Sequence, residues 1–169
     1  MKDHNFNFKY FGQYPNFDQL KNLVNQLTDE DWRYFNKRQT IASKNAYTIP
    51  IIFPGKLTLR SNDYRHFEMF SAHIENIEEQ LSFRVNRAIL VKLPAGNSID
   101  RHKDTGDFLN RNSRVHLPVV TNELCRFVVE EEEMFIPEGE FWEINNTGKY
   151  HSVHNDGKID RIHLIVDVG

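Results

Sequence analysis

"GEFWEINNTGKYHSVHNDGKIDRIHLIVDV", residues 139–168, carries three short runs of β-branched and aromatic residues, "EFWEIN", "YHSVHN" and "RIHLIVDV", broken by "NTGK" and "NDGK". Runs of that length between glycine- and asparagine-rich punctuation predict strands joined by turns. The pattern reaches upstream through "RAILVKL", "RVHLPVV", "CRFVVE" and "EMFI", separated by "PAGNS", "TNE" and "PEG". Short strands with regularly spaced turn signals argue for an antiparallel sandwich or barrel. "IPEGEF" reads as a tight hairpin and "HNDGKIDR" as a further turn, with Gly157 free to take positive φ. The "EEEE" run at 130–133 reads as a solvated hairpin edge.

Before residue 85 the period is different. In "FDQLKNLVNQL", residues 17–27, Leu20, Leu23, Val24 and Leu27 fall on one helical stripe, with Asn16 or Asp18 as possible caps. Thr28 and Asp31 are spaced like the start of a second, short helix. Phe67, Phe70, Ile74, Ile77 and Leu81 predict a longer helix over about 64–81. "YTIPIIFPGKLTLR" (47–60), with two prolines and a glycine among β-branched residues, reads as loop and short strand. The expectation is an α+β fold in one domain, 1–169, with residues 1–84 supplying mainly helices and loops and 85–169 the β core.

The chain of 169 residues is long enough to bury a substantial core, and thirteen phenylalanines suit a packed fold. A net charge of −3 with dispersed basic residues gives no general attraction to nucleic acid or anionic membrane. No apolar run approaches membrane-spanning length, and "MKDHNFNFKYFG" has no apolar leader core. A single cysteine, Cys125, forms no internal disulfide and fits a reducing, cytoplasmic setting. It reads as a small buried hydrophobe.

His102, His116, His151, His154 and His163 lie in the β half. Singly, each is more often a surface or core histidine than a ligand. Their arrangement is more informative. In "IDRHKDTGDF" (99–108), His102 and Asp104 stand two apart, so on extended backbone they share a face. "YHSVHNDG" offers His151 or His154, which face opposite sides of a strand. Two imidazoles and a carboxylate with open opposite positions suit non-haem Fe(II), and zinc accepts the same ligands. Arg161, opening an apolar strand, needs an anion if it is buried. Arg114 and His116 share a face, opposite Val115, Leu117 and Val119; Arg161 and His163 share one, opposite Ile162, Leu164, Val166 and Val168. Polar sets can then line a barrel mouth while apolar sets pack against helices. Trp142 reads as wall packing, and Arg101 and Lys103 as surface charge.

From "RHKD" through "RVHLPVV", "GEFWEINNTGKYHSVHNDG" and "RIHLIVDV", the chain resembles the aspartyl/asparaginyl β-hydroxylases. These are Fe(II)- and 2-oxoglutarate-dependent dioxygenases, with bacterial proline hydroxylases as close relatives. The resemblance covers roughly residues 85–169. It implies a double-stranded β-helix, or jelly roll, with iron held by His102, Asp104 and His151. Arg161 corresponds to the arginine that grips the far carboxylate of 2-oxoglutarate, and Arg114 and His116 to a pair near that co-substrate. The family spacing favours His151 over His154. Asp104 places the chain with members that keep the acidic ligand, and argues against a halogenase.

The implied activity is hydroxylation, with O2 consumed and succinate and CO2 as co-products. The substrate would be a free amino acid or an aspartyl, asparaginyl or prolyl residue. Specificity would lie in "HKDTGDFLNRNS" and "YTIPIIFPGKLTLR", with Asp107, Arg111 and Asn112 as candidate contacts to an amino-acid head group. Two other readings stay open at this point. One is a cupin-like metalloenzyme without 2-oxoglutarate, the other a non-catalytic jelly roll that binds a small acid. Oligomeric state is not legible.

Overall fold

The structure, a computed structural model, describes residues 5–34, 42–53 and 61–169. In chain order the elements are β1 (Phe8–Gln13), α1 (Phe17–Val24), α2 (Asp29–Tyr34), β2 (Tyr47–Ile52), α3 (Ser61–Leu81), β3 (Val85–Leu93) and β4 (Ser98–His102). There follow α4 (Asp107–Arg111), β5 (Ser113–Val120), β6 (Cys125–Val129), β7 (Glu132–Met134), β8 (Glu140–Ile144), β9 (His151–Asn155) and β10 (Arg161–Val168). The strands form two antiparallel sheets, a six-stranded one ordered β1-β8-β5-β10-β3-β2 and a four-stranded one ordered β4-β9-β6-β7. From β3 onward each connection passes from one sheet to the other except the β6–β7 hairpin, the arrangement of a jelly-roll sandwich.

Side-chain alternation builds two apolar layers. Val115, Leu117 and Val119 of β5 and Leu164, Val166 and Val168 of β10 pack outward against Leu20 and Val24 of α1 and Phe70, Ile77 and Leu81 of α3. The opposite faces meet between the sheets, where Val91, Phe127, Val153 and Ile165 make a smaller cluster. β10 is buried along nearly its whole length because β3 and β5 flank it and both faces are covered. This is the two-sided burial that a continuous run such as "HLIV" signals. Phe67, expected on the buried stripe of α3, is instead 37% exposed.

Several expectations need correcting. The sandwich is not confined to the C-terminal half, because β1 and β2 form the two edges of the larger sheet. Residues 1–84 therefore supply two strands as well as helices, although "YTIPIIFPGKLTLR" beyond residue 53 lies outside the described residues. The extended backbone expected at His102 is the end of β4, which begins at Ser98 inside the stretch read as the turn "PAGNS". "IPEGEF" is no hairpin: β7 and β8 belong to different sheets, and the segment crosses between them. Gly139 takes φ +79 there, accepting a hydrogen bond from Tyr14 N and donating one to Pro118 O. Gly157 is not among the residues with positive φ; it is needed for space, since a Cβ would come within 2.1 Å of Asn122 Oδ1. The acidic run does form a hairpin edge, with Val129 paired to Glu132 and Glu130 at φ 52 in the turn. Among the described residues, no helix is long and apolar enough to cross a membrane.

Candidate metal centre and anion pocket

β4 and β9 are neighbours in the smaller sheet, and His102 is the register partner of His151. Their rings lie 4.3 Å apart, centroid to centroid. Asp104 follows just past the end of β4, held by its own N–H donating to Asn146 O at 2.9 Å. One ligand atom from each of His102, Asp104 and His151 falls within 4.8 Å of the others, so the three converge on a single point. His102 Nδ1 lies 2.7 Å from the Asp100 carbonyl. A carbonyl only accepts, so Nδ1 carries the proton and Nε2 keeps its lone pair for a metal. His154 shares the other face of β9 with Ser152, whose hydroxyl lies 3.2 Å from its Nε2. It is not part of the cluster.

The carboxylate is braced from behind. Asn146 Nδ2 donates to Asp104 Oδ2 at 2.7 Å, and Arg114 Nη1 pairs with the same oxygen. Arg114 Nε and Nη2 then reach the two oxygens of the buried Asp167, at 2.9 and 3.3 Å, and Arg87 Nε pairs with Asp167 from the other side. Burial pushes the Asp104 carboxyl up, but hydrogen bonds from His102 and Asn146 and the nearby His151 outweigh it and hold it below the usual range. The two imidazoles diverge. The Asp104 hydrogen bond raises His102, whereas burial lowers His151.

Arg161 is 1% exposed. Among the described residues no carboxylate pairs with it; its guanidinium lies 4.8 Å from the Phe127 ring centre, and Nη2 donates to His163 Nδ1 at 2.9 Å. That bond makes His163 the neutral tautomer with its proton on Nε2. Burial pushes Arg161 down to about 9, still a cation at neutral pH. A buried charge without a counter-ion costs several kcal/mol. Among the described residues, Arg161 Nε, His163 Nε2 and the buried His116 Nδ1 also have no hydrogen-bond partner. Such a group of orphaned polar atoms around a cation is what an anion would satisfy. Arg161, His116 and the three convergent ligands all line one cavity of about 280 Å³. Its donors fit a carboxylate-bearing co-substrate, and the His-Asp-His set fits a divalent metal with open positions.

Every sequence-nominated residue of the metal and anion set therefore lies on this cavity, though Arg114 contacts Asp104 and Asp167. Arg101 and Lys103 point away, flanking the Tyr150 ring at 4.4 and 5.0 Å. The suggested head-group contacts do not converge here. Arg111 lines a different cavity, with Lys9 and Phe83; Asn112 is bonded to Asn86 and to the Phe108 carbonyl; Asp107 is exposed in the first turn of α4. Sequence reading missed Asn146, Arg87 and Asp167. Parity along β10 puts Asp167 on the face of Arg161 and His163, and that signal was available. Arg87 becomes visible only when β3 is set in register with β10.

No curated protein matches the chain in sequence. Among solved structures, it resembles an oxidoreductase of the 2OG-Fe(II) oxygenase family from Burkholderia pseudomallei (TM-score 0.60, 11% identity, covering 90% of this chain and 77% of the other). It also resembles a Pseudomonas putida prolyl-4-hydroxylase (TM-score 0.55, 16% identity, 97% and 92%). A viral collagen prolyl hydroxylase from Paramecium bursaria Chlorella virus-1 is similar too (TM-score 0.55, 9% identity, 97% and 96%). At these identities the likeness is one of fold. The sequence profile described as aspartyl/asparaginyl β-hydroxylase matches residues 16–169. That match takes in every strand except β1 and the whole cavity, and the chain belongs to the aspartyl/asparaginyl β-hydroxylase family of 2-oxoglutarate-dependent iron hydroxylases.

Proposed function

We propose that the chain hydroxylates a free amino acid or an aspartyl, asparaginyl or prolyl residue, releasing succinate and CO2. Iron would be held by His102, Asp104 and His151, and the far carboxylate of 2-oxoglutarate by Arg161. The observation that carries this reading is a fully buried arginine, without an acid among the described residues, in the cavity where the three ligands converge. A cupin-like enzyme that makes no use of a dicarboxylate has no need of that cation.

Iron with 2-oxoglutarate and O2 supplies the oxidising power that turns a C–H bond into C–OH. The protein's own residues bind and orient. The Asp100 carbonyl fixes the His102 tautomer, and Arg114 with Asn146 fixes the Asp104 carboxylate, so two ligands are held before any metal arrives. Arg161 receives an anion without reorganising, because Phe127 and His163 already hold its plane. His116, its Nδ1 unpartnered beside that arginine, is assigned to the co-substrate as well. Arg114 acts near the co-substrate through Asp104. Leu109, Ile99 and Val153 supply the apolar wall that limits water at the reacting carbon. A single buried cysteine fits the cytoplasmic location proposed for the protein.

Anaerobic titration of the apo-protein with Fe(II) and then 2-oxoglutarate tests the reading. A saturable visible charge-transfer band is expected, absent in His151→Ala and Asp104→Ala. Arg161→Met should weaken 2-oxoglutarate binding roughly tenfold to a hundredfold, the worth of a charge-assisted pair of about 1.5–3 kcal/mol. Iron binding with no band would move the assignment to the cupin-like enzyme. No iron binding would move it to the non-catalytic barrel.

A further inference from the structure

Arg87 has no part in the scheme above, yet its side chain lines the same cavity as the triad and Arg161. It stands on β3 opposite Asp167, whereas Arg161 stands opposite Leu93 at the other end of that register. The two arginines are thus roughly 20 Å apart along the strands, at opposite ends of the cavity floor. Arg87 is also held in place. Its Nε pairs with Asp167, and its guanidinium lies 5.2 Å from the centre of the Phe108 ring on α4. Among the described residues only Asp167 pairs with Arg87, through Nε, so the Nη1–Nη2 edge on the far side of the guanidinium can take a second carboxylate.

Neutralising Asp167 does not account for Arg87, because Arg114 already bonds both oxygens of that carboxylate. Charge in the loaded site points the same way. A divalent metal, Asp104, a dianionic co-substrate and Arg161 together carry no net charge. Among the described residues Arg114 and Arg87 then share Asp167, and one positive charge is left over at the Arg87 end. A partly apolar cavity lined by an uncompensated cation favours an anionic ligand.

We propose that Arg87 recognises the substrate and that the substrate presents it with a carboxylate, either the α-carboxylate of a free amino acid or the side chain of an aspartyl residue. This rests on the iron and 2-oxoglutarate site proposed above. Asp167 and Phe108 are positioning residues for Arg87, and the ion-pair chain from Arg87 through Asp167 and Arg114 to Asp104 sets where the substrate lies relative to the metal.

The test uses the full chain, loaded anaerobically with Fe(II) and 2-oxoglutarate. Its probes are free L-amino acids, their carboxamides, and N-acetyl-aspartyl and N-acetyl-asparaginyl amides. The readouts are perturbation of the charge-transfer band and calorimetric binding. At least one acid should perturb the band while its uncharged amide does not. Arg87→Gln should weaken that acid roughly tenfold to a hundredfold, with Arg87→Lys intermediate, while 2-oxoglutarate binding is unchanged. A response to free acids identifies the α-carboxylate as the source, and a response to the capped aspartate alone identifies the side chain. Acids and amides binding alike, no acid binding at all, or acid binding unaffected in Arg87→Gln would each overturn the role of Arg87 and leave the iron site standing. Failure of the wild-type band itself would overturn the underlying reading. The acid–amide comparison on wild-type protein holds even if the variants fold poorly.

Discussion

Asp104 and Arg161 solve opposite problems with the same chemistry. The carboxylate is supplied with donors, from Asn146 and Arg114, whereas the guanidinium is left without an acid among the described residues. With Asp104 as the proposed iron ligand, Asp104→Ala should abolish iron-dependent turnover and leave the fold intact. Circular dichroism beside 2-oxoglutarate consumption checks this, and unchanged consumption would contradict the assignment. The imidazoles near Arg161 carry a pH consequence. Burial first, and then the positive Arg161, hold His116 and His163 well below the ordinary value. Unfolded, both titrate near 6.5, so below that pH the unfolded chain binds protons that the folded chain does not. Stability is full above about pH 6.5 and falls as the pH drops, by at most about 1.4 kcal/mol per pH unit for each ring. Urea midpoints across that range should show the fall, and His116→Phe should make it shallower.

At the scale of elements, the helices serve the sheet rather than the chemistry. α3 covers the outer face of the larger sheet through Phe70, Ile77 and Leu81, residues with no contact with the cavity. Phe70→Ala should therefore cost about 3–5 kcal/mol in chemical denaturation while leaving Fe(II) affinity near wild type. α2 begins as its sequence predicts. Thr28 N and Oγ1 both donate to Asp31 Oδ2 at 2.8 Å, and Asp31 N returns a bond to Thr28 Oγ1 at 3.3 Å. Thr28→Ala should cost about 1 kcal/mol. Asp31 also accepts from the buried His66 of α3 at 3.1 Å, which ties the cap to the helix packed beside it. Strand pairing does what a motif cannot. β4 beside β9 turns two histidines remote in sequence into register partners.

For the whole molecule, the site is a clamp between the two sheets. The smaller sheet brings His102 and His151, while the larger brings Arg161, Arg114, Arg87 and Asp167. The Arg114–Asp104 pair is a direct tie across the gap. The proposed ligand set, divided in this way, is assembled only in the folded protein, so metal with 2-oxoglutarate should raise thermal stability. At about a hundred times the dissociation constant the gain is about 2.7 kcal/mol, or on the order of 5–10 °C for a domain of this size. Thermal denaturation with Mn(II) and 2-oxoglutarate, against each alone, measures it. Arg161→Met should lose the 2-oxoglutarate increment and keep that of the metal.

By itself, the sequence determined a strand-rich half after residue 85, the two strand faces of β5 and β10, and the spacing of His102 and Asp104. Hydrophobic alternation and an HxD spacing are local properties, set by a period of two along an extended chain. The resemblance then named His151 and Arg161 from motif order alone. The tertiary structure decided what depends on distant segments meeting. β1 and β2 are sheet strands because β8 and β3 offer them unpaired backbone edges, and neither neighbour is adjacent in sequence. "IPEGEF" crosses between sheets because Glu140 onward finds its partners on β1 and β5 rather than on β7. Arg87, Asn146 and Asp167 acquire meaning only through contacts with residues far along the chain. Ion pairs and strand register are properties of distance in space, and no local pattern encodes them.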